Sequence, residues 1–174
     1  YSSIVEIVAK KGLKKAAFSI LTKALQPYGA LITLASTAID AQASGTFINL
    51  APITFTAGEQ KITKKMQSYL SKIAKMMRNK KKLKLKICAT AVLQDKKVIS
   101  ASQHEKNQKL AKPLTAKLLN TAIANAVQTL ATERGKNVQK MLKKLKVSSD
   151  RLFVCFAKTN FKQKKLAPVV TLGL

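Results

Sequence analysis

Acid is scarce in this chain. Seven Asp and Glu stand against 33 Lys and Arg, a formal net charge of +26 over 174 residues. A surplus of that size favours anionic neighbours such as nucleic acid, acidic lipid or acidic protein surfaces, and says nothing direct about fold. The acids (Glu6, Asp40, Glu59, Asp95, Glu105, Glu133 and Asp150) are scattered, so no carboxylate pair offers general acid and base. A single histidine, His104, rules out a histidine-based zinc cluster. Ser102 beside it is a chance neighbour in a polar stretch with no third partner. There is no P-loop, no dinucleotide fingerprint and no G-x-S-x-G turn. The expectation is a protein that is not an enzyme and uses no cofactor or metal.

Tryptophan is absent and aromatic residues make up 5% of the chain, so Leu, Ile, Val and Ala must build the core. That scarcity also weakens any case for base stacking. The positive charge is spread over nearly every segment, and no RNP, KH, zinc-finger or helix-turn-helix signature occurs. Non-specific nucleic-acid binding through net charge is therefore the alternative function, and nucleic acid is not the expected partner. No uncharged apolar run reaches the length of about 20 residues that a membrane-spanning helix needs. Two cysteines, Cys88 and Cys155, do not make a disulfide framework. Buried, unpaired thiols are the expectation, with a cross-strand bridge in an oxidising compartment as the alternative. The chain opens at Tyr1 without methionine, which suggests a piece of a longer protein.

The clearest positive signal is Leu83-Lys84-Leu85-Lys86-Ile87-Cys88-Ala89. Strict alternation of apolar and polar residues is the period of a half-buried strand. One face needs an apolar cover, and amphipathic helices before and after the strand supply it. The expected architecture is a two-layer α+β sandwich with this strand near the middle of its sheet.

Residues 1–45 read as a helical appendage. Ile4, Val5, Ile7, Val8, Leu13, Ile20 and Leu21 recur at helical spacing, with Lys10, Lys11, Lys14 and Lys15 opposite, and Gln26-Pro27-Tyr28-Gly29 breaks the pattern. Residues 46–174 read as one domain. Phe47 to Phe55 is strand-like, Ala57-Gly58-Glu59 a turn, and Ile62, Met66, Tyr69, Leu70, Ile73 and Met77 a helical stripe ending at Asn79. Its methionines are core filling. After Val92 the periodicity dissolves, and about 93–120 reads as a long polar insertion, with at most a short helix of its own. From about Leu114 a long helix begins, carrying Ile123, Val127, Leu130, Val138 and Leu142, with Lys143, Lys144 and Lys146 at its end. Arg151 to Lys158 and Ala167 to Leu172 read as strands. The order from Phe47 is β-α-β-α-β-β.

That order resembles the OmpA-like periplasmic domain. Within that group it is most similar to the C-terminal region of large AsmA-like proteins of the Gram-negative envelope. The segments that carry the likeness are Ile53-Thr54-Phe55-Thr56-Ala57-Gly58, Ile62 to Met77, Leu83 to Ala91, Leu130-Ala131-Thr132-Glu133-Arg134-Gly135, Val147-Ser148-Ser149-Asp150-Arg151-Leu152 and Pro168-Val169-Val170-Thr171-Leu172. The resemblance implies a mixed sheet and a non-catalytic docking module of the periplasm, associated with the inner or outer membrane. Its implied partners are other envelope proteins, as in a secretion-system core complex, together with anionic lipid or peptidoglycan.

In peptidoglycan-binding members of that family an aspartate and an arginine hold the diaminopimelate of the stem peptide. The carboxylate pairs with the ligand's ammonium, and the guanidinium grips its carboxylate. The arginine position maps onto Arg134. The aspartate position falls at about Val92, so Asp95 would substitute only if the chain bends back. Without its anion the site would repel the ligand's ammonium, and stem-peptide binding is not expected. Local pairing of Arg134 with Glu133, Asp150 or a carbonyl is the plain alternative.

Overall fold

The computed structural model describes residues 49–174. The helical appendage expected over 1–45 and its joint with the domain lie outside the described residues. The alternating segment forms the strand β2 (Leu85–Val92), and the pattern holds: Leu85, Ile87, Ala89 and Ala91 are buried, whereas Lys84 and Lys86 are exposed. Around it lie β1 (Asn49–Thr54), α1 (Lys64–Asn79), α2 (Leu93–Gln108), α3 (Ala116–Lys144), a 3-10 turn (Ser149–Arg151), β3 (Leu152–Val154), β4 (Lys158–Asn160) and β5 (Val169–Gly173).

The sheet is mixed and runs β1-β5-β2-β3, with β4 pairing β2 beyond the end of β3. β5 lies antiparallel to both β1 and β2, with Ile87 opposite Leu172 and Ala89 opposite Val170. β3 and β4 run parallel to β2, as crossovers through helices require. β2 is therefore central. One face of the sheet is covered by the apolar stripes of α1 (Leu70, Ile73, Met77) and α3 (Val138, Leu142), which join the strand residues in a single core. The other face carries the strand lysines.

Two helix starts follow from side-chain caps. The Thr63 hydroxyl accepts from the Met66 amide at 3.3 Å, and the Thr115 hydroxyl accepts from Leu118 at 3.5 Å. At its other end α3 closes with paired bonds from Lys146 N–H to the Lys143 carbonyl and from Val147 N–H to the Leu142 carbonyl. This C-cap puts Lys146 at φ 67, a left-handed conformation that glycine adopts more readily.

Three expectations are corrected. The segment after Val92 is not an irregular insertion; Leu93–Gln108 is a 16-residue helix packed on α3, and α3 itself starts within the stretch assigned to that insertion. The predicted strand Arg151 to Lys158 is split into β3 and β4 around Cys155-Phe156-Ala157. The two cysteines are bonded: Cys88 on β2 and Cys155 just past β3 form a disulfide with Cα atoms 4.8 Å apart. The parallel pairing of Ile87 with Val154 sets the next residues of both strands side by side.

Candidate functional site

The first turn of α2 begins where β2 ends, and Asp95 is its third residue. A carboxylate there faces the unpaired N–H groups and the positive end of the helix dipole, so both local and long-range terms favour it. Asp95 Oδ2 accepts from the Val92 amide at 3.0 Å, the reach-back half of a capping box. Asp95 Oδ1 accepts from the Gly58 amide at 2.9 Å. Gly58 sits in the β1–α1 turn at φ 76, and a Cβ there would lie 2.6 Å from Val98 Cγ1. Glycine thus brings the turn's backbone against α2.

Arg134, midway along α3, completes the cluster. Its Nη1 donates to Asp95 Oδ2 at 2.9 Å and its Nη2 to Asp95 Oδ1 at 2.8 Å, a two-pronged ion pair. Nε donates to the Glu59 carbonyl at 2.7 Å and Nη2 also to the Thr56 carbonyl at 3.0 Å. The Phe55 ring, 5.1 Å from the guanidinium carbon, covers one of its faces. Both side chains are 0% exposed. Each carboxylate oxygen already holds two donors, which fills the acceptor capacity of the group. Burial pushes the Asp95 carboxyl up, but the Arg134 bonds, the Gly58 and Val92 amides and the Arg134 charge outweigh it and leave it below the ordinary carboxylate range.

Sequence mapping put the acidic position at about Val92 and allowed Asp95 to substitute only if the chain bends back; it does bend back, and the expected absence of an anion for Arg134 is corrected. The chain turns directly from β2 into α2, and one helical turn carries Asp95 back toward Arg134. Of the plain alternatives for Arg134, carbonyl pairing is present, while Glu133 bonds Lys136 and Asp150 bonds Ser148. A carboxylate does face the guanidinium, in direct contact and not across a cleft. The adjoining groove between α2, α3 and the β1–α1 turn is lined by Gly58, Gln60, Val98, Ser102 and Thr129, among others, and neither charged residue lies on its wall.

Chemically, the pair is a clamp. Removing either charge would strand the other in the core, at a cost of about 3–5 kcal/mol. It ties α3, the start of α2 and the β1–α1 turn together. Among the described residues no group of three His, Cys, Asp or Glu could hold a metal ion, and no helix is long and apolar enough to cross a membrane. His104 is exposed on α2 and hydrogen-bonds nothing that would orient it as a base.

No protein-family profile matches the sequence, and no curated protein does. Two of the solved structures that match are these. The OmpA-like domain of FopA1 from Francisella tularensis subsp. tularensis SCHU S4 matches with a TM-score of 0.46 and 12% identity, over 74% of this chain and 71% of that one. The periplasmic domain of MotB from Helicobacter pylori matches with a TM-score of 0.45 and 16% identity, over 82% and 85%. The geometry of the Asp95–Arg134 clamp stands independently of both.

Proposed function

We propose that this chain is a non-catalytic structural module of the Gram-negative cell envelope: an OmpA-like domain in which the diaminopimelate-holding pair has become an internal brace. The observation that carries this is the complete burial of Asp95 and Arg134 in mutual contact. A stem peptide would have to break two charge-assisted bonds before making its own, and Lys106 on the adjoining groove would repel its ammonium. The module docks through its electropositive surface onto an anionic envelope partner. The sequence resemblance favours either of two settings: an AsmA-like protein that moves lipid between membranes, or a trans-envelope assembly such as a secretion-system core complex, in which OmpA-like domains recur as structural parts. The Cys88–Cys155 bond suits an oxidising compartment, as the periplasm is.

Two measurements test this. Calorimetric titration of the unmodified chain with diaminopimelate muropeptides is expected to give no heat of binding at micromolar concentrations; saturable micromolar binding would overturn the brace. Alkylation of cells with a maleimide that adds mass is expected to leave the native protein unshifted until it is reduced. Free thiols in the native protein would overturn the compartment assignment.

A further inference from the structure

The turn that joins α2 to α3 is unusual in what it exposes. Every residue from Gln108 to Leu118 is exposed, so this end of the helical hairpin stands clear of the body. Three of them are leucines: Leu110 at 48%, Leu114 at 41% and Leu118 at 55% exposure. The tip is nonetheless ordered by its own bonds. Asn107 Oδ1 accepts from the Leu114 amide at 2.7 Å, and Thr115 caps α3. Lys109, Lys112 and Lys117 stand among the leucines, and the nearby acid, Glu105, is paired with Lys109 at 2.6 Å.

We propose that this tip is a membrane-docking wedge for an anionic phospholipid surface. A convex end cannot form a groove for a folded partner, but it can press its leucines into the boundary between headgroups and acyl chains. The lysine stems would then run back to the phosphates, the arrangement by which long cationic side chains bridge an apolar and an aqueous layer. Charge complementarity with a net charge of +26 selects the anionic surface. Nucleic acid would use the lysines and leave the leucines in water, so it accounts for half of the tip. The inference rests on the envelope reading for its setting, and names the partner that the electropositive surface meets.

The chain contains no tryptophan, so Ala111→Trp places a single reporter at the tip. With the full chain, vesicles of phosphatidylcholine and phosphatidylglycerol are expected to shift its emission to the blue and to allow quenching by brominated acyl chains. Pure phosphatidylcholine vesicles are expected to leave it unchanged. In co-sedimentation with the anionic vesicles, the triple variant Leu110→Ser, Leu114→Ser, Leu118→Ser is expected to partition at least tenfold more weakly than the parent, with an unaltered circular dichroism spectrum. The variant Phe153→Ser, Phe156→Ser, which removes exposed aromatics elsewhere, is expected to bind within about twofold of the parent. Equal binding by the triple variant and the parent would overturn the wedge. So would a silent reporter on vesicles that bring the protein down, or an emission change with transfer RNA and none with vesicles. None of these results bears on muropeptide binding, so the wedge and the brace fail separately.

Discussion

Asp95→Asn is the sharpest perturbation of the clamp, because it keeps the shape and removes the charge. The carboxylate accepts four hydrogen bonds, two from Arg134 and one each from the Gly58 and Val92 amides. An amide can accept on its oxygen alone, and its NH2 would confront donors on the other side. The guanidinium would remain fully buried with no counter-charge. Losing one member of such a pair costs about 3–5 kcal/mol, which for a domain of this size lowers Tm by roughly 10–20 °C. Thermal unfolding followed by circular dichroism measures it. A double-mutant cycle with Arg134→Met is expected to return a coupling of about 2–3 kcal/mol, because the double variant leaves no charge stranded. A loss of under 1 kcal/mol for Asp95→Asn would refute the reasoning, since it would mean that water reaches the pair and that the two groups do not depend on each other.

The same group makes stability depend on pH. Its folded pKa lies below the unfolded value, so its contribution is fully present above about pH 4 and is lost as pH falls through the folded pKa; urea midpoints are expected to fall on acidification for the parent and to stay flatter for Asp95→Asn. Replacing both Cys88 and Cys155 by Ala opens a loop of sequence separation 67 and is expected to cost about 2–4 kcal/mol, read as a lower urea midpoint that matches the reduced parent. Lys146→Gly relieves a left-handed non-glycine residue at the C-cap of α3 and is expected to stabilise the fold by about 1 kcal/mol; no gain would mean that the lysine side chain makes a compensating contact. Burial pushes the Tyr69 phenol up to about 12, and its hydroxyl donates to the Ala51 carbonyl at 2.7 Å, so its ionisation should lag that of a free phenol in an absorbance titration, with stability falling above about pH 10.

Much of the fold was legible because it obeys simple periods. The alternation at Leu83 to Ala89 marked the central strand, and the stripe from Ile62 to Met77 marked a helix with one apolar face. α2 broke that rule. Its fully buried residue is Asp95, an acid that hydrophobic periodicity scores as exposed. Its burial is tolerated only because Arg134, 39 residues away, supplies the counter-charge. Missing the helix also misplaced the acid, because a loop and a helix carry residue 95 to different places. The sequence carries one signal for this helix: an aspartate three residues past a strand end sits at a capping position. The disulfide was hidden for another reason. It depends on the register between β2 and β3, and the strand segments alone do not specify which residues stand opposite.

The most direct test of the brace is to watch Arg134 itself. In a nitrogen-15 spectrum of the unmodified chain, its Nε–H, held by the Glu59 carbonyl inside the core, is expected to be protected from solvent exchange and to stay in place as a diaminopimelate muropeptide is added. A saturable shift of that signal would show the guanidinium leaving Asp95 for the ligand, and would contradict the account.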